Sequence, residues 1–400
     1  MAEAYFGLPK EVLFCKKCVI SNQRPSSTVE FKHKKEEAKK TIGFGSDQIC
    51  AACEYHATKE SEIDWKKREE NLLRTLDKFR GKGDGYDVIV PGSGGKDSAF
   101  TSHILKYKYG MNPLTVTWAP HKYTNIGWEN FENWMHVGGL DNILFTPNGK
   151  LHRYLTQQAF LNLLHPFQPF IVGQRIIGPL MAAKFGVKLV MYGENQAEYG
   201  NEVSENYIPV MDRKFFSISD PMEIILGGKP IKDILSETSF KLEDFTPYIP
   251  PSADYLESKD VEVHYLGYYL KWDPQECYYY AVENTGFKAN TERTEGTYSK
   301  YSSIDDRIDM FHYFTTLIKF GIGRATYDAA QEIRNSKITR EEGVRLVKKY
   351  DQEFPSKYFK DFLEYIDVTE EKFWETVDKF RSPHLWKKEN STWKLLHQVE

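Results

Sequence analysis

A glycine-rich stretch with a lysine, an aspartate and two serines lies near position 95 of the 400-residue chain. The apolar run YDVIV precedes PGSGGKDS, and a helix-like segment follows it, so the stretch is predicted to join a strand to a helix. Loop glycines allow backbone N–H groups to surround a phosphate, and the helix N-terminus adds the positive end of its dipole. The residues predicted to bind the phosphates of a nucleotide are Ser93, Gly94, Gly95, Lys96, Asp97 and Ser98.

This stretch differs from a Walker A loop, whose pattern is G-x-x-x-x-G-K followed by Ser or Thr. That pattern would need glycine at position 90, which is Val90, and a hydroxyl residue at position 97, which is Asp97. A carboxylate is unfavourable beside an anion unless a cation lies between them, so Asp97 indicates Mg²⁺ at the phosphates. The sequence therefore predicts a Mg²⁺-dependent phosphate site of another class.

A second polar turn, GENQAEYGNE, follows the predicted strand VKLVMY. Ligands bind at the carboxyl edge of sheets of this kind. Glu194, Asn195 and Glu198 could hold Mg²⁺ or orient a substrate there, and the alternative is a solvated acidic loop. The residues predicted to be catalytic are Lys96, Asp97, Ser98, Glu194 and Asn195, and Gly193 is predicted to contact the nucleotide.

Four of the five cysteines lie within the first 53 residues, in the pairs CKKC and CAAC. In a reducing compartment such pairs are typical of metal ligands, and two pairs complete a tetrahedron. The predicted ligands of one structural zinc ion are Cys15, Cys18, Cys50 and Cys53. An iron–sulfur cluster and a redox pair are the alternatives. His33 and His56 are further possible ligands, but four thiolates already close the site, so both are predicted to be exposed loop residues.

Strands and helices are predicted to alternate from the glycine-rich stretch to about residue 285. This alternation is typical of α/β proteins with a doubly wound parallel sheet. Amphipathic helices follow it. The predicted organisation is a zinc-binding knuckle over 1–60, a linking helix over 61–82 capped by Ser61, an α/β nucleotide domain over 83–287 and a helical region over 288–400.

Composition constrains the function and the cellular location less strongly than these motifs do. The net charge is −4, so no overall basic field indicates nucleic-acid binding, although a local basic patch is compatible with it. There is neither an apolar run of membrane-spanning length nor the pattern of a signal peptide. We therefore expect a cytoplasmic protein that binds no nucleic acid and does not span a membrane.

The glycine-rich stretch resembles the pyrophosphate loop (PP-loop) of the ATP pyrophosphatases, the superfamily of GMP synthetase, NAD synthetase and the tRNA thiolases. The resemblance covers roughly 84–285 and implies an adenine-nucleotide α-hydrolase fold of the HUP-like type. It also implies that a substrate oxygen attacks the α-phosphorus of ATP, that pyrophosphate leaves, and that a nucleophile displaces AMP. In the superfamily adenine lies against the end of the second strand, here TVTWAP, which implicates Thr117 and Trp118. The alternative for Trp118 is a core residue.

The tRNA thiolases are the main alternative, because some of them also carry a zinc knuckle before this loop. They commonly place a CxxC pair just before an arginine, which corresponds here to Arg175 in PFIVGQRIIG. The two cysteine places are Phe170 and Gly173, and neither can carry sulfur. Cys277 stands alone in an aromatic helix and is predicted to be a buried core thiol. Sulfur transfer is therefore disfavoured, and ammonia is the favoured nucleophile.

Over nearly its whole length the chain resembles the N-acetyl sugar amidotransferases of lipopolysaccharide O-antigen and flagellin-glycan biosynthesis. The motifs that carry this resemblance are FCKKCVISNQRP, CAAC, VPGSGGKDSAF, TVTWAP, GENQAEYG and KFGIGRATYDAAQEIRNSKITREEG. It implies that the acetamido group of an activated sugar becomes an acetamidino group through an adenylated intermediate. The implied cofactors are ATP, Mg²⁺ and Zn²⁺. A tRNA-modifying adenylating enzyme and a scaffold without catalysis are the alternatives.

The chain shows no glutaminase motif, because Cys277 lacks a glycine-flanked turn and position 2 is Ala2. The resemblance implies that a separate glutaminase subunit supplies ammonia, paired with a cyclase-like subunit, both similar to those of histidine biosynthesis. The expected substrate is a nucleotide sugar or a sugar acid, whose negative charge arginine can bind. The candidate contacts are Arg293, Lys300, Arg307, His312 and Arg324, with surface ion pairs as the alternative.

Overall fold

A computed structural model of the chain describes residues 3–26, 38–82, 85–199, 208–211 and 220–400. Its central strands are β1 (Val88–Pro91), β2 (Pro113–Trp118), β3 (Asp141–Phe145), β4 (Leu189–Tyr192) and β5 (Glu262–Tyr265). They form one five-stranded sheet in the order β3-β2-β1-β4-β5, and every neighbouring pair is parallel. The order reverses between β1 and β4, so the ends of these two strands form the switch point where doubly wound sheets bind ligands.

Helices alternate with these strands. Before β5 they are α1 (Ala51–Ser61), α2 (Trp65–Phe79), α3 (Lys96–Tyr107), α4 (Asn125–His136), α5 (Gly149–Leu163), α6 (Gln168–Lys184), α7 (Ile231–Glu237) and α8 (Ala253–Ser258). The short α9 (Leu266–Tyr269) and α10 (Pro274–Thr285) follow β5. The predicted α/β class with a doubly wound parallel sheet is therefore confirmed.

Both faces of the sheet are buried along β1, β2 and β4, which explains why these strands are mainly apolar. Along β1, Val88 and Val90 belong to an apolar cluster with residues of α2 and α3. Ile89 belongs to a second cluster, with residues of α5 and α6. This alternation follows from the two-residue period of a strand. The two layers of helices hold β1 and β4 rigidly, and the loops after these strands carry the predicted site residues.

The predicted linking helix is in fact part of a helix pair. The side chain of Asp64 caps α2 by accepting a hydrogen bond from the backbone N–H of Lys67 at 3.0 Å. Ser61 instead lies in the last turn of α1, where its hydroxyl donates to the carbonyl oxygen of Ala57 at 2.8 Å. The predicted cap is therefore wrong, because α1 continues through Ser61 before the chain turns.

The C-terminal part is mainly helical, as predicted. Its helices are α11 (Asp309–Phe320), α12 (Arg324–Arg334), α13 (Arg340–Tyr350), α14 (Phe359–Ile366) and α15 (Glu370–Lys379). An unpredicted antiparallel hairpin follows, formed by β6 (Trp386–Glu389) and β7 (Thr392–Leu395). Its turn residues, Asn390 and Ser391, both have positive φ, as a two-residue hairpin turn requires. No helix in the described ranges is long and apolar enough to cross a membrane.

Candidate nucleotide site and metal centre

The glycine-rich stretch forms the tight connection between β1 and α3. Gly94 has φ of +84°, and a Cβ there would lie 2.9 Å from the Cα of Phe131, so no other residue fits without strain. Gly95 is the N-cap of α3, and its carbonyl oxygen accepts a hydrogen bond from the Ser98 hydroxyl at 3.0 Å. The first N–H groups of a helix have no partner within the helix. The connection therefore presents anion-binding groups at the switch point of the sheet.

Lys96 and Asp97 form an ion pair at the start of α3, with 2.5 Å between Nζ and Oδ2. Burial alone would lower the pKa of Lys96, but the charges of Asp97 and Glu194 outweigh it and raise this pKa, so the lysine stays cationic. Within the described ranges, the other oxygen of Asp97 is buried and has no hydrogen-bond partner. Buried polar atoms are normally satisfied, so this oxygen is suited to a cation that arrives with a substrate.

The turn after β4 places Glu194 opposite this ion pair. Glu194 accepts a hydrogen bond from the Tyr199 hydroxyl. Burial raises the pKa of Glu194 to about 7, and the negative charge of Asp97 adds to the effect. Asn195 is fully buried, and its side-chain nitrogen has no hydrogen-bond partner among the residues that the structure describes. Glu194 is thus a carboxyl group that can change protonation state near neutral pH.

Glu198, in the same turn, has a different environment. It forms a buried ion pair with Lys59 of α1, with 2.7 Å between Oε1 and Nζ. Lys59 also donates to the carbonyl oxygen of Trp272. Gly193 packs closely here, since a Cβ at this position would lie 2.8 Å from the Trp272 ring. Glu198 therefore links the turn to the N-terminal region, and no local sequence pattern distinguishes it from Glu194.

A cavity of about 490 Å³ opens beside the loop and the turn. Three predicted site residues line it together, namely Lys96, Asp97 and Glu194. Further walls come from the N-terminal cysteine region, α6, the start of α10 and the C-terminal helices, with Arg24, Ala52, Arg175, His312, Arg324 and Arg334 among the lining residues. Other predicted residues of the same loop and turn do not line it: Ser93, Gly94, Gly95, Ser98, Gly193 and Asn195. The roles proposed for all of them stay predictions.

Thr117 and Trp118 end β2, and both are buried without lining the cavity. The Thr117 hydroxyl accepts from the side-chain nitrogen of Asn142 at 3.0 Å, and the Trp118 ring lies 5.3 Å from that of Tyr248. A Cβ at Gly173 would lie only 2.4 Å from the Trp118 ring. The indole thus fills one of the two places where thiolases commonly carry cysteine. A contact of Thr117 and Trp118 with adenine stays a prediction.

The two CxxC pairs converge on one point. All four thiols are buried, and their sulfur atoms lie within 4.8 Å of one another. The separations are 3.8 Å between Cys15 and Cys53 and 3.7 Å between Cys18 and Cys50. The backbone N–H groups of Cys18 and Cys50 point at the Cys15 sulfur, at 3.5 Å and 3.3 Å, an arrangement that stabilises a thiolate. These residues form a four-cysteine metal-binding site.

Neither histidine considered as a further ligand belongs to this group. His33 lies outside the described residues. His56 is in α1, so its predicted loop position is wrong; it faces Glu60 across 3.8 Å, and burial lowers its pKa to about 4. His56 lies in a helix because α1 starts directly after Cys50.

Replacing Cys50 with serine is expected to remove the metal and to lower the thermal unfolding midpoint, because the binding free energy of a structural metal is also folding free energy. Elemental analysis of the wild-type protein should give one metal ion per chain. Cys277→Ala is the control, since Cys277 packs in another apolar cluster and should leave the metal content unchanged. A Cys50→Ser protein that keeps both its metal and its unfolding midpoint would contradict the assignment.

Residues 295–400 match the family model described as "LPS biosynthesis protein WbpG-like, C-terminal domain". The C-terminal part of the chain is thus similar to this family, and residues 295–400 are called the WbpG-like domain below. The match supports, for this part of the chain, the resemblance to surface-polysaccharide enzymes that the motifs indicated.

Other similarities are partial or distant. An uncharacterized protein of Methanocaldococcus jannaschii is 34% identical over 102 residues, which is 25% of this chain. The chain thus spans only 35% of the length of that curated relative. An NH3-dependent NAD synthetase from Campylobacter jejuni is 18% identical with a TM-score of 0.26 and covers 32% of this chain and 56% of its own.

Two further solved structures cover more of this chain. NMN synthetase from Francisella tularensis is 12% identical with a TM-score of 0.27, over 72% of this chain and 97% of its own. The tRNA thiolase NcsA from Methanococcus maripaludis, solved with its 4Fe–4S cluster, is 11% identical with a TM-score of 0.31, over 80% and 89%. All three TM-scores are low, so these likenesses are distant.

The WbpG-like domain reaches the glycine loop through a segment just before α11. Asp306 accepts hydrogen bonds from the backbone N–H and the ring Nδ1 of His121, at 2.7 Å and 2.8 Å. The backbone N–H of Thr124 donates to the carbonyl oxygen of Asp305 at 3.1 Å. The Asp305 carboxyl group lies near the Ser93 side chain, and burial raises the pKa of this carboxyl group. Sequence reasoning missed Asp305 and Asp306, since two adjacent acids before a helix suggest a simple cap.

The cationic residues predicted to contact a sugar are divided by the structure. Arg293, Lys300 and Arg307 do not line the cavity. Arg293 and Arg307 instead form ion pairs with carboxylates inside the WbpG-like domain. Arg324 and His312 do line the cavity. The domain therefore presents charged and polar side chains to the same cavity as the glycine loop.

Proposed function

We propose that the protein uses ATP to adenylate the acetamido oxygen of an activated N-acetyl sugar and replaces that oxygen with ammonia. The product would be an acetamidino sugar for a surface polysaccharide or flagellin glycan. One observation carries this proposal: Lys96 and Asp97 of the glycine loop share a cavity with Arg324 of the WbpG-like domain. A phosphate-binding loop that faces a domain of lipopolysaccharide biosynthesis supports a sugar as the group to be activated.

The chemistry needs two steps because an amide oxygen is a poor leaving group. In the first step the amide oxygen bonds to the α-phosphorus of ATP, the bond to the β-phosphate breaks, and pyrophosphate leaves. In the second step ammonia adds to the activated carbon, the carbon–oxygen bond breaks, and AMP leaves. One proton passes from the added nitrogen to a base, and a protonated amidine remains.

The residues around the cavity suit these steps. Lys96 and the N–H groups at the start of α3 would hold the departing pyrophosphate. Asp97 would hold Mg²⁺ through its unpartnered oxygen, and Mg²⁺ when bound would offset phosphate charge. Glu194 would accept the proton in the second step, because a base with a pKa of about 7 works well near neutral pH.

A partner is proposed as the source of ammonia. The one cysteine outside the metal site, Cys277, is only 2% exposed. Burial raises the pKa of its thiol, and the charge of Asp97 raises it further, so this residue is a poor nucleophile. We therefore expect a glutaminase subunit with a cyclase-like subunit to deliver ammonia to the cavity.

The same observations disfavour a tRNA thiolase. Sulfur transfer would need a second reactive cysteine beside the nucleotide site. Gly173 has no room for a side chain against Trp118, and the thiol of Cys277 is buried. The remaining cysteines are the four of the metal-binding site, where their sulfur atoms are placed to bind the ion.

We propose zinc as the metal. A tetrahedral ion with metal–sulfur bonds of about 2.3 Å holds its sulfur atoms about 3.8 Å apart. The sulfur–sulfur separations of Cys15–Cys53 and Cys18–Cys50, 3.8 Å and 3.7 Å, agree with this value. A cubane iron–sulfur cluster places four irons and four sulfides between the thiolates and would force these sulfur atoms farther apart.

Incubation of the chain with ATP, an ammonium salt and candidate N-acetyl sugars tests the proposed function. We expect AMP, pyrophosphate and a sugar product lighter by the mass difference between O and NH. Omission of either the sugar or ammonium should leave no such product. AMP formation with tRNA and a sulfur donor, and none with any sugar, would contradict the proposal.

A further inference from the structure

The first cysteine pair contacts an arginine of the WbpG-like domain. Arg340 is the first residue of α13, directly after the cap residue Thr339. Its Nε donates to the carbonyl oxygen of Cys18 at 3.3 Å, and its Nη2 donates to that of Cys15 at 3.5 Å. Its Nη1 donates to the carbonyl oxygen of Glu400 at 2.7 Å. One guanidinium, 322 positions away from Cys18 in the chain, thus contacts both ends of the first CxxC turn.

The contacts of Arg340 bear on the sulfur atoms because the same turn directs its N–H groups at them. The backbone N–H groups of Lys17 and Cys18 point at the sulfur of Cys15, at 3.4 Å and 3.5 Å. Hydrogen bonds to a charged group favour its charged form, so these N–H groups stabilise the thiolate that a metal needs. The backbone of the turn therefore has partners on both sides, sulfur for its N–H groups and Arg340 for its carbonyl oxygens.

The peptide group that follows Cys15 links the two cysteine pairs. Its carbonyl oxygen accepts from Arg340, and its N–H, which belongs to Lys16, donates to the carbonyl oxygen of Gln48 at 3.1 Å. Gln48 lies two positions before Cys50, whose own N–H points at the Cys15 sulfur at 3.3 Å. A peptide group is planar, so a partner that fixes its oxygen also restricts the direction of its N–H. Arg340 therefore holds the first pair in the position from which it meets the second.

We propose that Arg340 is a positioning residue of the metal centre, through which the WbpG-like domain raises the affinity of the four cysteines for their metal ion. Arg340 does not bind the ion but holds the turn that does. Groups that orient metal ligands from outside commonly change metal affinity by about 10–100-fold. Coupling between two binding events is reciprocal, so metal binding in turn stabilises the packing of α13 against the N-terminal region. This role requires a metal ion at the four thiols but not the reaction proposed for the cavity.

The test is the zinc affinity of the full chain, measured by competition with a chromophoric chelator. Arg340→Met removes every donor group of this side chain and keeps most of its volume, and we expect it to bind zinc about 10-fold more weakly than the wild type. Arg340→Lys keeps the charge, but its single nitrogen cannot reproduce the fork of a guanidinium, so it should also bind zinc more weakly. Arg345→Met is the matched control, since Arg345 is exposed on the same helix and its loss should leave the zinc affinity unchanged.

Thermal unfolding of the same metal-loaded variants separates positioning of the metal centre from general stability. A residue that only anchors the segment around Glu400 would lower the unfolding midpoint when replaced and leave the zinc affinity unchanged. This result for Arg340→Met would overturn the proposal. An Arg340→Lys protein with wild-type zinc affinity would overturn it too, because a positive charge near the thiolates would then suffice without the hydrogen bonds to the turn. If Arg340→Met does not fold, Arg340→Lys decides by the same measurement.

Discussion

Replacement of Ser93 with alanine is expected to slow the release of pyrophosphate from ATP by about 10²–10³-fold, the usual effect of losing one donor to developing charge. Ser93 lies near the Asp305 carboxyl group of the WbpG-like domain, in the loop that precedes α3. Asp97→Asn should have a similar effect, because it removes the charge that pairs with Lys96 and weakens a cation ligand. Pyrophosphate formation under single-turnover conditions is the measurement.

The control for this prediction is Ser236→Ala, since Ser236 is exposed on α7 and does not line the cavity. It should release pyrophosphate at the wild-type rate. Unfolding midpoints of all three variants should be compared, so that a lost fold is not mistaken for lost chemistry. Products identified as ADP and phosphate would contradict cleavage between the α and β phosphates, whatever the variants did.

The isolated chain is expected to use ammonium salts as its nitrogen source and to leave glutamine unchanged. With glutamine as the only nitrogen source, glutamate formation should stay below the detection limit. The reactive species is ammonia, and its conjugate acid has a pKa between those of an α-amino group and a lysine. Activity should therefore rise with pH. Glu194 contributes in the same direction up to about pH 8, because its base form is complete above its pKa of about 7. A rise in activity that continues above about pH 8 would therefore report the increasing fraction of unprotonated ammonia.

Cys277→Ala should keep the ammonium-dependent activity, because the thiol of Cys277 is buried. Addition of the partner glutaminase should then restore glutamine-dependent activity in the variant and in the wild type alike. If the isolated chain produced glutamate from glutamine, and Cys277→Ala abolished this, then Cys277 would be a nucleophile and the partner model would fail.

Local features were predictable from the sequence alone. Glycines that must adopt special backbone geometry, such as Gly94, marked the tight loop before α3. The two CxxC pairs marked the metal site, because each turn fixes two sulfur atoms whatever surrounds it. Alternating apolar runs and helices marked the parallel sheet. In each case the signal consists of short segments, each only a few consecutive residues long. The predicted domain boundaries stay predictions.

The roles within the polar turn were decided only by the tertiary structure. Glu194 and Glu198 are four residues apart and look alike in the sequence. Glu198 is used by Lys59, which lies 139 positions away in the chain, whereas Glu194 faces the cavity. The difference arises because α1 packs against this turn, and no local pattern encodes that packing.

The same reason applies to the groups that the WbpG-like domain contributes. Asp306 contacts His121 across 185 positions, and Asp305 reaches Ser93 from the same segment. Arg334 of α12 donates to the carbonyl oxygen of Glu198, which lies 136 positions away. Residue type and spacing determine what a short segment can bind, since backbone geometry acts over a few residues. Which segments share a cavity depends on how whole layers of helices and strands pack. In this protein it depends on the packing of the C-terminal helices against the sheet and the metal site.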